Sequence, residues 1–461
     1  MTTTTFQISS DELQGRIDAY YYQPKFRHVQ EELGKSRWPL KPLNEIATIV
    51  CGSTPKEGSS IAPFTDSVKF LKTINVQDFT LNLGTLYYIS RVAHQRRAIS
   101  ALQENDVLLN IIGATLEVVG RVSIVPPEFG EANINQNIAR IRIKEGCDIN
   151  PFYLMGYLGT KLAQGQIEKL SRQAGQVNLN TKEVGLILVP IPSTEVQKEV
   201  ASMVRKSCLD KEQYLMDIDS TIAKFDQELL AKFGLTVNND SSMIFSTTSD
   251  KLIGRIDAEY YRPIYRKLES SLLSKGKPLS DLAEFPNETI DPRKDPDKEF
   301  RYVEIENLDD ITASINGYQL MTGQEAPSRA RLIIRSGDII VPSLRGTFKK
   351  IVIVPSAFDG CVGTTGFLIL RPKQIDRRYL YAILRSKIGQ MQLERAATGA
   401  IMPTLTQSEL SRVLIPLDET KVQEIVEITE QFLNRIKYFK QRAETVILKA
   451  KEEIHNIIMG K

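Results

Sequence analysis

The residues that could carry acid–base, nucleophilic or metal chemistry are few and badly spaced for it. The chain has three histidines, His28, His94 and His455. None stands at metal-ligand spacing from another histidine or from a cysteine. The four cysteines, Cys51, Cys147, Cys208 and Cys361, show no CxxC spacing and read as free thiols in a reducing compartment. Gly52–Ser53–Thr54–Pro55–Lys56 is rich in turn formers but lacks the second Gly–Lys of a phosphate loop. Val125–Pro126–Pro127–Glu128 has the wrong residues on both sides for an adenine methyltransferase motif, and no acidic-x-Lys follows Pro296–Asp297 as a nuclease would need. There is no GxGxxG after a strand and no HExxH. The expectation is a chain with no catalytic residue, no metal site and no bound cofactor.

Nucleic-acid chemistry has better material. Lysine and arginine supply affinity through phosphates, and side chains at base edges supply sequence choice. In the first half the candidate cations are Arg91, Arg96 and Arg97. In the second half they are Arg329, Arg331, Arg335, Arg345, Lys349 and Lys350. Arg345 with Lys349 and Lys350 is the best cluster, because Gly346 breaks a strand-rich region and suggests an exposed loop. Gln176 and Asn178 can pair bidentately with adenine and are candidate base readers. The plain alternatives are solvated surface charge for the cations and loop hydrogen bonding for the two amides.

The elements that must position these groups come in two copies. Leu13–Gln14–Gly15–Arg16–Ile17–Asp18–Ala19–Tyr20–Tyr21–Tyr22–Gln23–Pro24 reappears as Leu252–Ile253–Gly254–Arg255–Ile256–Asp257–Ala258–Glu259–Tyr260–Tyr261–Arg262–Pro263, with most positions identical. Lys41–Pro42–Leu43 returns as Lys277–Pro278–Leu279, and Asp106–Val107–Leu108–Leu109 as Asp338–Ile339–Ile340–Val341. Val189–Pro190 and Gln197 return as Ile415–Pro416 and Gln423. A period of more than roughly 200 residues marks a duplicated domain, not a solenoid. The repeated residues Arg16, Asp18, Tyr21, Pro24, Arg255, Asp257, Tyr260 and Pro263 are kept while the mixed stretches diverge. Packing against a helical rod or docking of a partner therefore suits them better than base reading.

Each copy begins with a Tyr- and Arg-rich segment and continues through short β-branched runs bounded by turn signals, which read as strands and loops. It ends in a stretch almost free of Gly and Pro. There the apolar residues step by three and four, the pattern of a coiled-coil seam. In copy one the seam includes Leu215, Ile218, Ile222, Phe225 and Leu229; in copy two Thr429, Phe432, Ile436, Phe439, Ala443, Val446 and Ala450. Gly234 and Gly460 follow as helix stops. Each helix of about 38 residues would be roughly 57 Å long. Two such helices can cover each other's stripe; the alternative is that each packs on its own domain.

The expected fold is thus α/β (α+β): two pseudo-symmetric recognition domains joined by a long antiparallel two-helix coiled coil. The expected boundaries are an N-terminal segment and first recognition domain over 1–192, a central helix over 193–234, a second segment and domain over 235–417, and a C-terminal helix over 418–461. The 461 residues, 42% hydrophobic and 25% charged with a net charge of +3, suit a folded chain. No run approaches the roughly 18 apolar residues of a membrane span, and the polar start lacks a signal core. The cytoplasm is the expected location. The net charge alone argues nothing about nucleic acid.

This ordered set resembles the specificity subunits of type I restriction–modification systems along essentially the whole chain. Both Arg16–Pro24 and Arg255–Pro263 match R-[IL]-D-A-x-Y-Y-x-P, and Gly52–Ser53–Thr54–Pro55 looks like the Gly-x-Thr-Pro entry of such recognition domains. Gly175–Gln176–Val177–Asn178–Leu179 closes the first domain in the family manner, and Gly399–Ala400–Ile401–Met402–Pro403–Thr404–Leu405 closes the second. Copy two lacks the Gln–x–Asn pair. The resemblance implies a non-catalytic chain that reads a split, asymmetric target on double-stranded DNA. It also implies two methyltransferase subunits and two restriction/translocase subunits as partners, with S-adenosylmethionine, ATP and Mg held by those partners. The alternatives are a recognition module of another restriction or phage-defence enzyme, and a coiled-coil scaffold that reads no DNA.

Overall fold

A computed structural model describes residues 6–8, 13, 16–172, 176–237, 244–252, 255–399 and 402–460. Gln14, Gly15, Gly175, Ile253, Gly254, Ala400 and Ile401, all part of the sequence comparison, lie outside the described residues. The chain forms two compact units, residues 1–214 with 442–461, and residues 215–441. The division falls inside the long helices, so each unit owns a piece of both.

In the first unit a four-stranded antiparallel sheet runs in the order Ala47–Cys51, Ile138–Ile143, Val107–Asn110, Val122–Ile124. Every residue of Val107–Asn110 is buried, as expected of an apolar strand covered on both faces. A smaller sheet sets Ala132–Ile134 parallel to Ser67–Leu71, with Tyr87–Ser90 antiparallel on the other side. The second unit repeats this plan. Ala283–Glu284, Phe367–Pro372, Ile339–Pro342 and Val352–Ile353 make its four-stranded sheet. Glu299–Val303 and Val362–Thr364 form the parallel pair of its smaller one. That smaller sheet gains a strand, Ala330–Ile333.

The two copies also share their fastenings. Arg142 grips Asp106 through two hydrogen bonds of 2.7 Å, and Arg371 grips Asp338 at 2.8 and 3.0 Å. Asp106 and Asp338 are buried, so each needs that fork-on-carboxylate partner. Tyr153 donates its hydroxyl to the Pro190 carbonyl and Tyr379 to that of Pro416, both at 2.6 Å. Gln166 pairs with both backbone groups of Leu188, as Gln392 does with Leu414. Burial holds the Tyr153 phenol above its ordinary range, which suits a permanent donor.

The central helix is Thr194–Phe233 and the last helix Val422–Met459. Gly234 and Gly460 take φ of 58° and 69°, the left-handed stop that favours glycine. In the first unit Val200 and Val204 share one apolar core with Ile447, Ala450, Ile454 and Ile458, and with Tyr153, Leu154 and Tyr157 from helix Pro151–Gly159. In the second unit Ile218, Phe225, Leu229 and Phe233 share a core with Ile425, Phe432 and Ile436, and with residues of helix Arg377–Arg385. The Phe225 and Phe432 rings stack at 4.1 Å, and Lys232 forms an ion pair with Glu424. Numbers rise on one helix as they fall on the other, so the pairing is antiparallel. Mutual pairing and packing on the parent domain therefore occur together. Thr429, Ala443 and Ala450 are also buried in the seam. Ile222, Phe439 and Val446 are partly buried against it, whereas Leu215 is 38% exposed.

Phe432→Ala removes one face of the Phe225 stack and leaves a cavity between two helices. It should cost about 3–5 kcal/mol, read as a lower midpoint in denaturant unfolding followed by circular dichroism.

Candidate nucleic-acid interface

Most of the candidate cations are already engaged. Arg91 bridges Asp66 and Glu131, each at 2.6 Å. Arg97 folds back onto the carbonyls of Ser53, Thr54 and Ala93. It thereby fixes the loop after Gly52, where a Cβ would lie 1.9 Å from the Ile134 carbonyl oxygen. Arg329 pairs with Glu304 at 3.1 Å, Arg331 with Asp291 at 2.7 Å and Arg335 with Glu288 at 3.1 Å. Hydrogen bonds from Arg371 and then Arg335 hold the Glu288 carboxyl below its usual range. Lys350 donates to the Ile305 carbonyl at 3.1 Å.

Arg345, the centre of the best sequence cluster, turns away from solvent. Its Nε donates to Glu394 at 2.7 Å and its Nη2 to Glu259 at 3.3 Å. It ties the loop to helix Lys387–Ala396 and to the repeated Tyr segment. Arg96 and Lys349 are exposed, and among the described residues neither has an ion pair or hydrogen bond from its side chain. Arg96 and Lys349, unlike Arg345, can meet a phosphate without first breaking an ion pair or hydrogen bond, although Lys349 also acts electrostatically on the Asp226 carboxylate.

The repeated motif packs within its own unit on the second of the two short helices. Arg16 binds Asp18 at 2.7 Å and donates to the Leu170 carbonyl at 2.7 Å, at the end of helix Lys161–Leu170. Arg255 does the same with Asp257 and the Ala396 carbonyl. Tyr21 lies between Arg16 and Lys169, and Tyr260 between Arg255 and Arg395, as cation–π stacks. Pro24 and Pro263 stand where the following helices, Lys25–Gly34 and Pro263–Leu273, begin.

Gln176 and Asn178 sit beside residues that sequence reasoning missed. Val177–Asn178 pairs with Ile112–Gly113, and Leu179 N–H donates to the Ile111 carbonyl at 2.8 Å. Ile111 N–H in turn donates to the Asn137 carbonyl at 2.8 Å, and Gln136 meets the Thr54 hydroxyl at 2.5 Å. Backbone bonds thus set Asn178–Leu179 alongside Ile111–Ile112, and these alongside Asn137; Asn178 and Asn137 are half-buried, and Gln176 and Gln136, next along the same two segments, are exposed. Four amides of this kind can donate to and accept from base edges. The string Asn135–Gln136–Asn137 was the available signal, but only long-range pairing brings it to Gln176.

The second unit builds the same edge from other residues. Leu405 N–H donates to the Ser343 carbonyl at 2.7 Å, and Ser343 N–H to the Gly366 carbonyl at 2.8 Å. By these matched bonds Thr365 and Gly366 stand where the first unit has Gln136 and Asn137, and Met402 and Thr404 where it has Gln176 and Asn178. Among the described residues no group of three His, Cys, Asp or Glu could hold a metal ion. Burial pushes the Cys208 thiol up to about 12, so it stays protonated at neutral pH.

The chain is thus a duplicated α/β scaffold whose two equivalent edges carry different residues. Residues 35–208 match the family described as type I restriction modification DNA specificity domain. The type I restriction enzyme EcoBI specificity subunit of Escherichia coli is 26% identical over 201 residues, 42% of this chain and 40% of that relative. A Methanocaldococcus jannaschii chain named as the MjaX specificity subunit is 23% identical over 467 residues, covering 95% of this chain and 97% of its own. The crystal structure of a type I S subunit from M. genitalium aligns over 92% of this chain and 96% of its own, at 13% identity and a TM-score of 0.40. Over residues 35–208 the chain is thus similar to the type I restriction modification DNA specificity domain, and along most of its length to a chain named as a type I specificity subunit.

The two kinds of arginine should separate in solution. Arg96→Ala should leave the melting temperature unchanged and flatten the salt dependence of duplex binding by about one unit of log–log slope. Arg345→Ala should instead lower the melting temperature. Salt titrations by fluorescence anisotropy, with thermal melts, check both.

Proposed function

We propose that this chain reads a two-part, asymmetric target on double-stranded DNA and performs no reaction itself. Each recognition domain reads one half-site, with the domains spanning 1–192 and 235–417 and the long helices over 193–234 and 418–461 joining them. Two half-sites read on one side of the duplex lie about one helical turn apart, roughly 34–36 Å. The base pairs between them are not read. Arg96, Lys349 and other basic groups supply phosphate contact, and the amides of the first edge choose bases there.

The observation that carries this reading is the pair of matched edges. Equivalent backbone bonds hold Gln136, Asn137, Gln176 and Asn178 in one unit and Thr365, Gly366, Met402 and Thr404 in the other. Amides favour bidentate pairing with adenine, whereas threonine hydroxyls are less selective and methionine offers apolar contact. Two unlike edges call for two unlike half-sites. The exposed ion pairs of Arg91 and Arg329 are individually weak, so phosphate can displace those carboxylates when DNA arrives.

The chemistry belongs to partners: two methyltransferase subunits using S-adenosylmethionine and two restriction/translocase subunits using ATP and Mg. The complex works in the cytoplasm, in keeping with the lack of any described helix long and apolar enough to cross a membrane. Genome-wide mapping of methylated adenine, in a host with and without this gene, tests the proposal. Loss of one two-part asymmetric motif is expected. An unchanged map in a host whose partner methyltransferase is active contradicts it.

A further inference from the structure

The repeated motif holds one residue in a way that its packing role does not need. Arg16 and Asp18 are joined by a 2.7 Å ion pair, and the Arg16 carbonyl accepts the Tyr22 hydroxyl at 2.7 Å. Asp18 is extended, at φ −77° and ψ 128°. In extended chain, side chains two apart share a side and the one between faces the other way. The ion pair therefore turns Ile17 outward, and Ile17 is 96% exposed. The second copy repeats the device: Arg255 pairs with Asp257 at 2.8 Å, the Arg255 carbonyl accepts the Tyr261 hydroxyl at 2.8 Å, and Ile256 is 93% exposed. Exposed apolar side chains are common singly. Here two isoleucines occupy matched positions on segments held by the same bonds, in a chain whose edges have diverged.

We propose that Ile17 and Ile256 are equivalent contact points for two copies of one partner chain, the methyltransferase subunit, each isoleucine entering an apolar pocket of that partner. The inference rests on the functional reading above and adds where the partner docks. Two features select the occupant. The knobs are the same in both copies, so a single kind of surface meets both, and it must be present twice. The solvent-facing charge beside each knob is a carboxylate, Asp18 or Asp257, each with nearly half of its side chain exposed, whereas Arg16 and Arg255 are mostly covered. The Arg–Asp pair beside each knob is neutral overall and turns its carboxylate to solvent, so it offers a phosphate backbone no open cation and suits a protein pocket with a basic rim.

The test uses the full chain as wild type, Ile17→Ser, Ile256→Ser and the double variant, each titrated with purified methyltransferase subunit and weighed by native mass spectrometry. Wild type should take up two copies. Each single variant should bind one copy normally and the other about tenfold to a hundredfold more weakly, the effect of leaving one large aliphatic side chain unburied. The double variant should be weak at both. Melting temperature and duplex binding should not move, because neither side chain packs on its own domain. A double variant that binds two copies as tightly as wild type overturns the proposal. So does weakening accompanied by a lower melting temperature, which would mark the isoleucines as structural. If the substitutions abolish self-association of the isolated chain and leave methyltransferase binding intact, the occupant is a second copy of this chain and the proposal fails. A wild-type chain that binds no methyltransferase sinks the functional reading itself.

Discussion

The structure depends on burying the apolar stripes of two helices that neither could leave wet. Val200 and Val204 close a core with Ile447, Ile454 and Ile458 in one unit, and Phe225 and Leu229 close another with Phe432 and Ile436 in the second. At about 25 cal/mol per Å² of apolar surface removed from water, side chains of this size dominate the local balance. The first unit is completed by residues 442–461, the far end of the chain. Its core therefore draws on both helices, with Ile447, Ala450, Ile454 and Ile458 beside residues of 33–204, so the units do not follow one another as two uninterrupted segments.

On that base, each unit fastens its scaffold with the same few bonds: an arginine fork on a buried aspartate, a tyrosine hydroxyl on a proline carbonyl, and a glutamine on the peptide groups of a strand residue. Such bonds fix backbone without dictating the side chains at the edge. This is why the edge can carry four amides in one unit and threonine, glycine and methionine in the other. The edge residues are free to differ while the frame stays constant.

The frame was largely legible in the sequence. The three-and-four spacing from Ile218 to Leu229 and from Thr429 to Ala450 placed the long helices, and the echoed Asp106 and Asp338 marked equivalent strands. The edge was less legible, for a physical reason. An arginine is visible as a residue type, but its partner is not. Arg345 is engaged by Glu394 and Glu259, and Arg91 by Glu131, pairs set by tertiary packing across tens of residues. Likewise Asn137 and Asn178 are brought to neighbouring backbone only because Ile111–Ile112 bonds to Asn137 on one side and to Asn178–Leu179 on the other. Leu215 fits the heptad spacing yet stands partly in solvent, because spacing gives a stripe and not what covers each point along it.

The central claim is that the two edges read separate halves of one target. Replacing the first edge by its counterpart, with Gln136→Thr, Asn137→Gly, Gln176→Met and Asn178→Thr together, tests it most directly. The readout is the set of duplexes selected from a random pool by the chain bound to its methyltransferase partner. The account predicts a changed first half-site, with the second half-site and the spacing retained. Selection of the original target in both halves would contradict it, as would a change in the half assigned to the untouched unit.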